Sequence, residues 1–100
     1  VGADDTKIIL LKYMETLDFN DDKEQWFDKV KAICEKNNYA VKMKDYKKTP
    51  ENYKGSIAHL TTVIRLSYTG RANSPDIWEI ANALGETKVR NRILKYIDKL

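Results

Sequence analysis

The chain reads as a small all-α bundle of about five helices. Three observations predict this. Apolar residues recur at helical spacing along most of the 100 residues. Cap-type residues, Gly and Pro punctuate the intervals between those stretches. No segment alternates with the two-residue period of a half-buried strand.

The elements follow in order. Asp4-Asp5-Thr6 precedes a first amphipathic helix, with Ile8, Leu11 and Leu17, joined by Leu10 and Met14, as its apolar face. Asn20-Asp21-Asp22 then offers N-caps, and Glu24 lies three residues after Asp21 as in a capping box. Trp26, Phe27, Val30, Ile33 and Cys34 form one stripe on this second helix, which Asn37-Asn38 can end. Residues 39–54 are the least periodic and read as a loop, with one helical turn started by Thr49-Pro50.

Gly55-Ser56 opens the next helix, with Ile57, Leu60, Ile64 and Tyr68 on one face and Gly70 as its C-cap. Ser74-Pro75-Asp76 starts another: Ser caps, Pro presets the first φ, and Asp meets the positive helix end. Trp78, Ala81 and Leu84 face its core side, and Gly85 stops it. Thr87 can cap the last helix, where Val89, Ile93, Tyr96, Ile97 and Leu100 point inward.

Composition bounds the function. Apolar residues are 42% and charged residues 33%, enough for one modest core and too apolar for a disordered tail. Net charge is +3, a mild hint of an anionic partner. Residues 1–50 balance ten Lys against ten acidic residues, so the excess lies in residues 51–100, which hold all four arginines. Arg suits bidentate contacts to phosphates and base edges. A solvated charged helix face explains the same residues without any ligand.

Cys34 is the single cysteine, so no internal disulfide forms, and its apolar setting reads as a buried thiol. One Cys and one His, His59, cannot make a typical structural zinc site. No nucleophile–base pair or Gly-rich phosphate loop is visible, so no catalytic site and no bound cofactor is expected in this chain. No 18-residue apolar run and no signal-peptide pattern occurs, so no membrane partner and a cytoplasmic location are expected. The first residue is Val, which reads as a piece of a longer or processed protein.

Two stretches could bind an anion or a nucleic acid. Residues 80–93, IANALGETKVRNRI, have the small-apolar-Gly-apolar pattern of a helix-turn-helix, with Lys88, Arg90, Asn91 and Lys95 on the outer face for a DNA groove. The same Gly turn is also generic helix packing. In RLSYTGRANSPDI, residues 65–77, Arg65 and the N-terminus of the following helix lie close enough to hold a phosphate or the edge of a flipped-out base. The competing reading pairs Arg65 with Asp76 or Glu79 as a lock between helices.

The segment YKGSIAHLTTVIRLSYTGRANSPDIWEIANALGETKVRNRI resembles the C-terminal end of bacterial-type glutamyl-tRNA synthetases, which are class I aminoacyl-tRNA synthetases. Tyr53, Lys54, Gly55, Arg65, Thr69, Gly70, Arg71, Ser74, Pro75, Leu84, Gly85, Val89 and Arg92 carry the resemblance, over residues 53–93. Residues 25–46 match the upstream part more loosely. The resemblance implies a single all-α anticodon-binding domain over residues 1–100, cut from a longer ligase that attaches glutamate to tRNA. ATP and magnesium would belong to that parent's catalytic domain. The implied partners are the anticodon arm of a glutamate tRNA and the parent's preceding helical and catalytic domains. Carried over position by position, the anticodon contacts are Arg65, Ser74, Pro75 and Ile77. Ser74 and Ile77 stand where the family more often has Thr and Leu, and Tyr68 where a small aliphatic residue is common. Lys54, Arg71, Arg90 and Arg92 are candidates for the tRNA backbone, with Arg92 the one best placed for a packing role instead. A helix-turn-helix DNA-binding domain is the alternative, and a protein-interaction bundle a third reading.

Overall fold

The computed structural model describes residues 2–100. Among them the chain forms α1 (Ala3–Thr16), α2 (Lys23–Lys36), α3 (Met43–Lys48), α4 (Ile57–Thr69), α5 (Ile77–Leu84) and α6 (Glu86–Asp98). A 3-10 turn follows α3 at Pro50–Asn52. The all-α expectation holds, with α3 added in the region read as a loop and one short strand pairing between that region and Gly55–Ser56.

That pairing joins β1 (Tyr39–Ala40) to β2 (Gly55–Ser56), parallel, with Tyr39 opposite Gly55 and Ala40 opposite Ser56. Strands of two residues leave no alternation to detect in a sequence. The bridge ties the start of α4 to the end of α2 and explains Gly55. A Cβ there would lie 3.0 Å from His59 Nδ1 and 3.2 Å from the Tyr39 ring. His59 caps its own helix, its Nδ1 accepting from the Ser56 N–H at 2.9 Å.

α4 is the central helix. Leu60, Val63, Ile64 and Tyr68 are buried along it, against α1 on one side and α6 on the other. The core adds Ile9, Leu10 and Tyr13 from α1, Trp26, Val30 and Ile33 from α2, and Val89 and Ile93 from α6. Gly70 ends α4 in the left-handed region, φ 72°, as the C-cap reading expects.

Several faces differ from the sequence reading. α1 buries Ile9, Leu10 and Tyr13 and leaves Ile8 and Leu11 exposed. Phe27 and Leu100 are also exposed rather than inward. The α2 cap is Asp22, in a reciprocal box with Gln25, in place of Asp21 with Glu24. α6 starts at Glu86 directly after Gly85, so Thr87 lies inside the helix instead of capping it.

Cys34 is fully buried, as its apolar setting implied. Burial, together with the Glu35 charge, pushes its thiol up to about 11. The folded chain is therefore expected to resist a thiol-specific reagent at pH 8 and to react fully once denatured. Rapid labelling without unfolding would contradict this packing.

Candidate nucleic-acid interface

The opening helix signal of α5 is carried by Asp76, and Ser74 does not cap. The Asp76 carboxylate accepts from the Trp78 N–H at 2.9 Å and the Glu79 N–H at 3.4 Å. Pro75 therefore precedes the cap, and Ser74 turns its hydroxyl to the Pro75 carbonyl at 2.9 Å. An Asp at the cap wins because its charge also meets the positive helix end.

The other Asp76 oxygen pairs with the Lys23 ammonium at the start of α2. Burial pushes the carboxyl up, but Lys23 and the two backbone N–H groups outweigh it and hold Asp76 below the usual carboxylate range. The charged form thus contributes stability fully above about pH 4, the unfolded-state value, and loses it as pH falls through the lower folded value. Asp76→Asn, which keeps a capping oxygen, is expected to melt below wild type at pH 7. That difference should shrink steadily below about pH 4. A difference that grows on acidification would contradict the pairing.

With both Asp76 oxygens engaged, Arg65 is left over. It makes no ion pair with Asp76 or Glu79 among the described residues, and its Nε is buried without a hydrogen-bond partner. A buried donor without a partner is costly and persists where something else repays it. The packing-lock reading of Arg65 is therefore not what the structure forms.

Arg65 lines an open cavity of about 530 Å³ between the start of α2, the middle of α4 and the start of α5. Ile77, the first residue of α5, forms part of its wall together with Asp76 and Thr61. α2 contributes Lys23, Glu24, Trp26 and Phe27. The structure thus brings Arg65 and Ile77 together. Ser74 and Pro75 sit on the adjoining loop, half-buried and exposed respectively.

The start of α5 is held from beneath by a buried chain of polar groups. Trp26 Nε1–H donates to the Tyr13 hydroxyl at 3.0 Å, and Tyr68 donates to the Ile77 carbonyl at 3.1 Å. The Tyr13 and Tyr68 hydroxyls lie 3.4 Å apart. Since the Tyr68 proton goes to Ile77, Tyr13 is the donor between them. Burial pushes both phenols up, so both stay protonated donors. Tyr68 is thus a strut under the cavity wall.

The four backbone candidates divide. Arg71 is exposed, and its guanidinium has no internal partner among the described residues. Lys54 pairs with Asp5 at 3.2 Å on the surface. Arg90 donates to the Met14 and Leu17 carbonyls at 3.0 and 3.2 Å, closing the C-terminus of α1. Arg92 donates to the Tyr68 carbonyl at 2.9 Å near the end of α4, the packing role anticipated for it. Both arginines meet the negative ends of helices. Arg90 is thereby withdrawn from the outer face that a groove-reading α6 would need.

Lys23 and Phe27 were missed as site residues. A signal existed for Phe27. Adjacent residues on a helix point about 100° apart, so with Trp26 buried Phe27 lies at the edge of the stripe, where a side chain can face outward. No group of His, Cys, Asp and Glu among the described residues could hold a metal ion, and no helix is long and apolar enough to cross a membrane.

Comparison with known proteins places this geometry. No solved structure gives a significant match. A glutamate–tRNA ligase of Acetivibrio thermocellus is 50% identical over 97 residues, which is 97% of this chain and 18% of that protein. Glutamate–tRNA ligases of Sorangium cellulosum and Clostridium perfringens strain 13 are 37% and 39% identical over 97 and 90 residues, covering 97% and 90% of this chain. The chain spans 16–18% of the length of these three relatives. No comparison points to a helix-turn-helix DNA-binding domain. The profile of the anticodon binding domain matches residues 7–97, nearly the whole helical bundle and all of the cavity, and the chain belongs to that family.

Proposed function

We propose that this chain binds the anticodon arm of a glutamate tRNA, as one domain of a ligase that charges that tRNA with glutamate. The observation that carries the reading is Arg65, a half-buried guanidinium with an unpartnered Nε–H beside an open cavity. Loop bases of RNA are read by hydrogen bonds to their edges and by stacking or apolar contact. Arg65 would donate to an edge and Ile77 would give an apolar wall, with Ser74 and Pro75 meeting the RNA from the loop above. Arg71 is the backbone contact best supported by its freedom, with Lys54 at the surface as a second. Arg90 and Arg92 would touch phosphate only with groups left over from their helix ends. Backbone contacts contribute affinity and salt dependence more than specificity.

In this reading the chemistry is elsewhere. ATP, magnesium and the glutamyl transfer belong to a catalytic domain of the parent, and the setting is the cytoplasm. This chain contributes grip on the anticodon arm and no reacting group.

The test is a pair of titrations followed by backbone amide shifts at low salt, one with a glutamate tRNA anticodon stem-loop and one with duplex DNA. Shifts with the stem-loop centred on residues 65–77 are expected. Affinity should be weak, because most of the tRNA surface is missing. Shifts confined to residues 88–95, and only with DNA, would instead favour the helix-turn-helix reading. Silence with both would favour a protein-interaction bundle.

A further inference from the structure

The cavity has a wall from α2 whose chemistry limits what can enter. Lys23 and Arg65 are balanced there by Glu24 and Asp76, and Lys23 and Asp76 neutralise each other directly. A phosphate entering this space would meet no net positive charge and a bare carboxylate, Glu24, on the rim. The unengaged donor that lines it is the Arg65 guanidinium: its Nε is shielded and without a partner, and its terminal N–H groups make no hydrogen bond or ion pair among the described residues. The ligand that fits is neutral, carries an acceptor on one edge, and offers a flat face to apolar walls. The volume, about 530 Å³, lies within the usual range for small-molecule sites, roughly 300–1,000 Å³.

Phe27 offers the matching face. Its side chain is 39% exposed although large and apolar. Two contacts hold its ring. The Trp26 ring lies 6.4 Å away at 17°, and Lys31 Nζ sits 4.9 Å from the Phe27 centroid. Trp26 is itself tied to Tyr13, so the platform is set before a ligand arrives. A preset aromatic loses little freedom on binding.

We infer that α2 completes a nucleobase pocket, in which Phe27 stacks on one unpaired base while the Arg65 guanidinium donates to an acceptor on that base's edge. This rests on the reading of the chain as an anticodon binder and assigns it a stacking residue on a helix outside the Arg65–Ile77 segment. Phosphates are left to Arg71 and the outer surface, so base and backbone are recognised in different places. Base–aromatic stacking is sequence-tolerant, so Phe27 supplies affinity while Arg65 supplies selection.

The test uses a glutamate tRNA anticodon stem-loop with labelled anticodon bases, titrated with wild type, Phe27→Ala, Phe27→Leu, Phe27→Tyr and Arg65→Ala, each first checked for cooperative melting. With wild type, the ring protons of one anticodon base should shift upfield, as a ring stacked on Phe27 requires. Phe27→Ala and Phe27→Leu should each lose that upfield shift and bind about tenfold more weakly. Phe27→Tyr should keep both. Loss of affinity with the upfield shift intact would overturn the inference, as would wild-type binding in Phe27→Ala and Phe27→Leu. If Arg65→Ala then still weakens binding, the anticodon reading stands and only the stacking role falls. A wild-type chain that does not bind the stem-loop at all would overturn both.

Discussion

Arg65→Ala is expected to weaken binding of the anticodon stem-loop by roughly 10- to 100-fold and to leave thermal unfolding nearly unchanged. Hydrogen bonds to a charged group contribute about 1.5–3 kcal/mol, which sets the size of the loss. The stability half of the expectation follows from the free chain. Arg65 has no carboxylate partner among the described residues, and its Nε is buried without an acceptor. Removing it deletes an unsatisfied donor as well as the packing of its aliphatic stem, and the two effects oppose each other. Arg65→Lys keeps the charge but not the planar donor, and should behave closer to Ala than to wild type. Fluorescence anisotropy for binding and calorimetry for unfolding check the two halves separately. A large loss of cooperative unfolding would mark Arg65 as a packing residue after all.

Tyr68→Phe is expected to destabilise the chain by about 1–3 kcal/mol, although it removes one oxygen. That hydroxyl is the last donor of the chain from Trp26 through Tyr13 to the Ile77 carbonyl. Without it the Ile77 carbonyl and the Tyr13 hydroxyl are both left short of a buried partner, at the cost of desolvated polar groups. For a domain of this length each kcal/mol corresponds to about 4–8 °C in Tm. The effect should also be local. Amides in the first turn of α5 should exchange faster in the variant, because their support is lost, while α1 and α6 retain protection. Calorimetry together with hydrogen exchange measures both. An unchanged Tm would mean that water or a rearranged Tyr13 satisfies the same groups.

The helical skeleton was legible in the sequence because it rests on local signals: apolar spacing, caps, Gly70 and Gly85. What escaped depended on tertiary partners. Ile8-Ile9-Leu10-Leu11 is apolar on every side of its turn, so periodicity alone cannot choose the buried pair. The choice is made by Tyr13, which must reach Trp26 and Tyr68. The β1–β2 bridge is too short to leave a pattern. Ser74 and Asp76 are both good cap residues; Asp76 takes the cap, and its second oxygen pairs with Lys23 from α2, a partner the local sequence does not show. The site was half legible. Arg65 and Ile77 were visible as one segment. Phe27 and Lys23 lie some 40 residues away in sequence and joined them only through the packing of α2 beside α4 and α5.

The same packing decides between lock and ligand site. Composition left Arg65 balanced between Asp76 and an outside partner. The structure engages both Asp76 oxygens, one on the α5 cap and one on Lys23. Arg90 and Arg92, by contrast, are drawn to helix carbonyls. Of the four arginines in residues 51–100, only Arg65 lines the cavity and Arg71 stands exposed on the surface, so the basic excess is not a uniform RNA-facing surface.

The most direct test is the Arg65 Nε–H resonance itself, followed by ¹⁵N–¹H spectroscopy as the anticodon stem-loop is added. When the guanidinium takes up a base edge, this reporter should shift and exchange more slowly with water, and Arg65→Lys identifies the signal by deleting it. A resonance that stays in place while Arg71 and Lys54 respond would mean that the RNA lies on the surface and that no base enters the cavity.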